Sequence, residues 1–255
     1  MSVLQIVLVI VLAILVFGFL YETYAQARDR RRYPAPGRFV DVGGYRLHVQ
    51  VMGEGQPGPT VILDAGMVSF SSNWAWVQSA VATAAPTLAI DRAGFGWSDR
   101  GPKPRSAGQS ARELHAALEK LNLPRPYVLV GHSYGGMTAR AYASLYRDEV
   151  AGMVLVDASH PDQWVRMGLP SKAMGSGSYV FSFLARFGLL HLWSTEYRLL
   201  ANGLPPRQYG ELMAYTRISR ALATGEMPLS PGTASVGRRP SPSATWVICR
   251  SSSSV

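Results

Sequence analysis

The hydrophobic pattern divides the chain into segments of different character. Residues 3–20 are apolar except for Gln5 and Gly18, which is about the minimum length for a helix that crosses a bilayer. From residue 38 the apolar positions fall into short runs. Runs 38–42 and 45–52 flank Gly43-Gly44 and predict a hairpin. Runs 60–63, 87–90, 127–130 and 153–156 are continuous and end at Asp64, Asp91, Gly131 and Asp157. Short unbroken runs of this kind predict strands buried on both faces, as in a parallel sheet. Helical spacing lies between them over 74–83, 106–121 and 135–146, with Leu114, Leu118 and Leu121 on one stripe of the second. Strands alternating with helices predict a doubly wound α/β sheet.

After His160 the pattern changes. Met, Trp, Tyr, Phe and Leu are scattered through 164–215 without strand runs, which predicts a helical cap over the sheet edge. The stretch 237–255 changes again, to Ser, Pro and Arg. The expected organisation is an N-terminal transmembrane anchor (1–27), a basic and proline-containing linker (28–37), an α/β core (38–159), a cap (160–236) and a low-complexity tail (237–255).

Composition narrows the picture. The chain has 255 residues, 47% of them hydrophobic, so it can bury a sizeable core. The one cysteine, Cys249, excludes an intrachain disulfide framework and a cysteine-rich metal site. Basic residues number 25 against 16 acidic, and only Lys103, Lys120 and Lys172 are lysines. The arginines are not clustered on a recognisable nucleic-acid motif, so no nucleic-acid partner is expected. Tyr21 and Tyr24 follow the apolar run, then Arg28, Arg30, Arg31 and Arg32, and no Lys or Arg precedes it. That bias predicts a single-pass anchor with the body on the cytoplasmic side. Ala25-Gln26-Ala27 has the shape of a signal-cleavage site, so export after cleavage near Ala27 is the competing reading.

The chemistry centres on Gly131-His132-Ser133-Tyr134-Gly135, a G-x-S-x-G sequence between a predicted strand and a predicted helix. In that context the glycines permit a tight turn that lifts Ser133 out of the sheet as a nucleophile. The Tyr134 backbone N–H then faces a developing oxyanion at a helix N-terminus. Asp64-Ala65-Gly66-Met67 follows the third strand, and the Met67 N–H is the second expected oxyanion donor. The ordinary alternatives are a glycine-rich turn with a capping serine and a simple tight turn. Asp91 and Arg92 allow a local ion pair.

These segments resemble the α/β-hydrolase superfamily in its membrane-anchored bacterial esterase-like branch. The resemblance rests on Leu63-Asp64-Ala65-Gly66, on Asp91-Arg92-Ala93-Gly94-Phe95-Gly96-Trp97-Ser98-Asp99, on the glycine-flanked Ser133, and on Val154-Leu155-Val156-Asp157-Ala158-Ser159-His160-Pro161. It covers roughly 38–162 and implies a serine hydrolase acting on carboxylic esters with an apolar part, without metal or organic cofactor. The family mechanism needs an acid and a histidine after the serine. Asp157 is the candidate acid and His160 the candidate base; a structural Asp and a cap-hinge histidine are the plainer readings. His191 is expected to pack, and His132 to point away from the site. In relatives the acid and base usually follow later strands, and this sequence is expected to stop before them. Read one base out of frame, the codons from Thr245 onward can give L-G-D-L-P and four apolar residues. That resembles the family's strand after the cap, so the tail reads as an out-of-frame translation. The competing class is a binding module without a base histidine.

Overall fold

The computed structural model describes residues 2–67, 69–102, 105–160, 163, 187, 201–217 and 245–249. A long helix α1 (Val3–Arg32) leads into the body. Seven strands follow: β1 (Arg38–Asp41), β2 (Arg46–Met52), β3 (Thr60–Asp64), β4 (Thr87–Ile90), β5 (Tyr127–His132), β6 (Val150–Val156) and β7 (Thr245–Cys249). Between them lie α2 (Ala75–Val81), α3 (Ala107–Leu121), α4 (Gly135–Leu145) and α5 (Pro206–Arg217). The sheet order is β1-β2-β4-β3-β5-β6-β7. The pairings β1/β2 and β2/β4 are antiparallel, and all the others are parallel.

The hairpin turns as its glycines require. Gly43 and Gly44 have φ of 123° and 90°, open to glycine and costly for other residues, and both N–H groups donate to Asp41 Oδ1. In α3 the Ser106 hydroxyl caps the Gln109 N–H at 3.1 Å, and Leu114 and Leu118 face the core. The main core lies between the sheet and helices α3 and α4, with Leu88, Leu129, Tyr142 and Met153 almost fully buried. A second cluster joins Phe70, Phe95 and Trp97 of the core to Leu212, Met213 and Tyr215 of α5. Helix α5 lies in the segment expected as the cap, and buried Glu211 fixes it by accepting from the Ser72 hydroxyl at 2.7 Å.

Two boundaries differ from the sequence expectation. The basic run does not begin the linker: helix continues through Arg32, leaving only residues 33–37 between α1 and β1. Arginine is a good helix former, and three arginines in the last turn complement the helix dipole. The second difference is β7, which comes from the Ser/Pro/Arg-rich stretch read as a low-complexity tail. It pairs in parallel with β6, Gly152 opposite Thr245 and Val156 opposite Cys249. The outer edge of β6 is therefore paired. The run Thr-Trp-Val-Ile-Cys carries β-favouring residues. His191 lies outside the described residues.

Candidate active site

The register of the parallel strands gathers the site. Asp64 pairs with Gly131, and His132 with Val156, so β3, β5 and β6 end side by side. In open α/β sheets, binding occurs beyond such carboxyl ends. Ser133 and Asp157 directly follow β5 and β6, and Gly66 lies two residues beyond the end of β3.

Ser133 adopts φ of 50°, in the left-handed region that a serine enters at a cost. Its surroundings hold it there. Its N–H donates to the Val156 carbonyl at 3.1 Å, and its carbonyl accepts from Gly136 at 3.1 Å and Ser159 at 3.0 Å. The flanking glycines are geometric necessities. A Cβ on Gly131 would stand 2.6 Å from the Gly135 carbonyl carbon, and one on Gly135 would collide with the Asp64 carbonyl. The result is a sharp turn with Ser133 half-buried between β5 and α4, and Tyr134 at the helix N-cap.

The loop after β3 runs alongside. A Cβ built on Gly66 would lie 3.5 Å from Ser133 Cβ and 3.2 Å from His132 Nδ1. Met67 is partly buried in the same turn. His132 thus does not point away from the site: its ring forms part of the wall beside Gly66. Burial pulls its imidazole below the usual range, against the pull of Asp157. Asp157 is exposed, with φ of 42°, and His160 is also exposed. Among the described residues no histidine hydrogen-bonds the Ser133 hydroxyl.

Arg92 beneath the loop carries more than the simple ion pair that the sequence suggested. It is 5% exposed and donates to Asp64 Oδ1, to the Ala65 carbonyl at 2.6 Å, and to the Gly66 carbonyl. Burial pushes the Asp64 carboxyl up, against the pull of the Arg92 charge. Only the adjacency of Asp91-Arg92 to a strand end signalled this group.

Comparison with known proteins agrees with this architecture. The chain matches the family model for the alpha/beta hydrolase fold over residues 59–208. It belongs to the α/β-hydrolase family. It is 30% identical over 121 residues to the uncharacterized protein YqjL of Bacillus subtilis, covering 48% of this chain and 47% of that one. It is 27% identical over 217 residues to a cis-3-alkyl-4-alkyloxetan-2-one decarboxylase of Shewanella oneidensis, covering 78% and 65%. Among solved structures it resembles the Cif epoxide hydrolase from Acinetobacter nosocomialis, with TM-score 0.63 and 18% identity over 82% of this chain and 72% of that one. It also resembles a thermophilic esterase from Thermogutta terrifontis, with TM-score 0.54 and 19% identity over 84% and 90%. The chain spans about half the length of YqjL. At these identities the structural likeness establishes the fold.

Proposed function

We propose that the protein is a serine hydrolase acting on carboxylic esters with an apolar part, with Ser133 as nucleophile. The observation that carries this reading is the left-handed Ser133 at the β5–α4 turn, φ 50°. Strain of this kind persists at sites where the surroundings over-determine the residue. The Met67 and Tyr134 N–H groups form the oxyanion hole in this reading, and the helix N-terminus adds to their effect. The hydroxyl attacks the ester carbonyl, giving an acyl-enzyme and a free alcohol; water then hydrolyses the acyl-enzyme to the carboxylic acid and restores the serine. Relatives that open epoxides or remove halide in this fold use an aspartate at this place, and this chain has a serine.

The ester's apolar part is inferred from the apolar cap segment, whose helix α5 packs Leu212, Met213 and Tyr215 against Phe70, Phe95 and Trp97 of the core. Asp157 serves as the acid and His160 as the base, since both follow Ser133 at the same sheet edge. The membrane partner is the bilayer itself, through α1, which is long and apolar enough to cross it. The basic turn at Arg28 to Arg32 places the body on the cytoplasmic side.

A second reading is a hydrolase-like binding module. It is favoured by the lack, among the described residues, of a histidine bonded to Ser133. The full chain in detergent is treated with a fluorophosphonate and a short-chain nitrophenyl ester. Labelling at Ser133, with turnover lowered by several orders of magnitude in Ser133→Ala, supports the enzyme. Labelling at another serine, or turnover unchanged in Ser133→Ala, refutes the nucleophile assignment. His160→Ala then separates base from bystander: an unchanged rate removes His160 from the mechanism.

A further inference from the structure

We propose that Arg92 is a positioning residue that sets the oxyanion hole, by holding the carbonyls of the β3 loop on one side so that the Met67 N–H faces the other. The inference rests on the proposed serine chemistry and assigns a device that this chemistry requires.

The argument begins with the peptide plane. In a trans peptide the C=O and the following N–H point in opposite directions. The Gly66 carbonyl accepts from the Arg92 guanidinium and from the Ser69 N–H at 3.2 Å. With that carbonyl committed on the Arg92 side, the Met67 N–H must point away from Arg92. Ser133 flanks the same glycine, as the 3.5 Å separation between its Cβ and a Gly66 Cβ position shows. The Ala65 carbonyl is held by the same guanidinium at 2.6 Å, so two consecutive peptides are pinned from one side.

Arg92 also reaches the other half of the hole. Its guanidinium carbon lies 5.3 Å from the centroid of the Tyr134 ring and 5.1 Å from that of Phe95. Within about 6 Å such contacts are attractive. One buried cation therefore holds the backbone of the β3 loop and also lies against the side chain of Tyr134, the residue that carries the other expected donor. Its planar fork is what lets it serve Asp64 and two carbonyls together. A lysine ammonium is a compact point charge on a flexible stem and cannot reproduce that fork. Oxyanion donors act by being fixed before charge develops, and loss of one costs about 10²–10³ in kcat. A loop released from Arg92 therefore loses rate without losing substrate affinity.

The deciding variant is Arg92→Lys in the full chain in detergent. It keeps a cation beside Asp64, so it retains the fold. Arg92→Met is its harsher companion, and thermal unfolding of each reports folding. The expected result is a kcat lowered at least about tenfold in Arg92→Lys and about a hundredfold in Arg92→Met, with KM nearly unchanged. Amide exchange in the peptide spanning residues 64–70 should quicken in both. A folded Arg92→Lys with wild-type kcat and wild-type exchange overturns the proposal. A rise in KM at constant kcat also overturns it, since that pattern marks ground-state binding. The Ser133→Ala control separates the two readings. If that variant keeps full turnover, the serine chemistry fails, and the exchange measurement alone then decides whether Arg92 holds the loop.

Discussion

His48 Nδ1 lies 2.9 Å from Asp91 Oδ2, and both side chains are fully buried. The other ring nitrogen, Nε2, accepts the Gly37 N–H at 3.1 Å. A nitrogen that accepts is unprotonated, so the ring is neutral with its proton on Nδ1. This histidine–carboxylate pair has the chemistry of a catalytic dyad and a structural task. Its free valence is spent on the backbone ahead of β1, and Asp91 also accepts from the Ser71 N–H at 2.8 Å and the Trp97 N–H at 3.1 Å. Asp91→Ala should leave three buried donors without an acceptor and lower stability by about 3 kcal/mol or more. Chemical denaturation measures the loss, and the variant's phosphonate labelling at Ser133 should persist below its unfolding midpoint.

The β5–α4 turn makes a second expectation. A methyl on Gly135 collides with the backbone carbonyl of Asp64, which cannot yield without moving β3. Gly55 has φ of 92° and open space around its Cβ position. Gly135→Ala should therefore destabilise by about 1–3 kcal/mol or more, as overpacking does, and reduce Ser133 labelling. Gly55→Ala should cost about 1 kcal/mol from backbone strain alone. Urea midpoints of the two variants, measured side by side, check the order; equal losses would show that the turn tolerates displacement.

The Glu149 carboxylate sets an acid limit. Burial alone would raise its pKa, but hydrogen bonds from Tyr142 at 2.5 Å and Arg125 at 3.1 Å hold it below the usual carboxylate value. A carboxyl depressed in the folded state contributes stability above its unfolded pKa and loses it as pH falls through the folded value. Stability of the wild type should thus fall on acidification below the ordinary carboxylate range. Glu149→Gln should be less stable at neutral pH and show a shallower acid slope. Urea titrations at neutral pH and near pH 3 give the comparison, and identical slopes would remove Glu149 as a cause.

The N-terminal helix bears on processing. Ala25-Gln26-Ala27 lies inside α1, and Glu22, Ala25 and Asp29 form a buried stripe, with Ala25 only 4% exposed. Gln26 is half-buried and Ala27 exposed, but a helical segment presents no extended backbone to a peptidase. The chain should stay in the membrane fraction after alkaline extraction, with its first residues intact. A reporter active only in an exported compartment, fused to the body, should give no signal. A mature N-terminus at Arg28 would refute this.

The sheet was largely legible in the sequence. Strands 60–63 and 127–130 are legible because buried parallel strands leave unbroken apolar runs, and the structure extends them by one and two residues to Asp64 and His132. Strand β7 was not legible, because a five-residue run amid Ser, Pro and Arg carries no period of its own; its pairing with β6 is a tertiary fact. The turn around Ser133 was legible, since glycine spacing reports close backbone approach. The work of Arg92 was not, because carbonyl partners leave no side-chain signature. The place of the His132 ring beside Gly66 is not legible either, because adjacency to Ser133 in sequence does not say which wall the ring joins.

The end of α1 is not loosely tied to the body. The Tyr33 carbonyl accepts from Trp97 Nε1 at 3.0 Å and from the Tyr215 hydroxyl at 3.2 Å, one donor from the core and one from α5. The Tyr33 ring also crowds Gly210 of α5. A 30-residue helix is a rod of about 45 Å, and a rod clamped at its foot transmits tilt. Because its foot is bonded to the core and to α5, a tilt of α1 would be passed to the aromatic cluster. In the reading that α1 crosses a bilayer, the proposed site would then turn with the helix rather than independently of it.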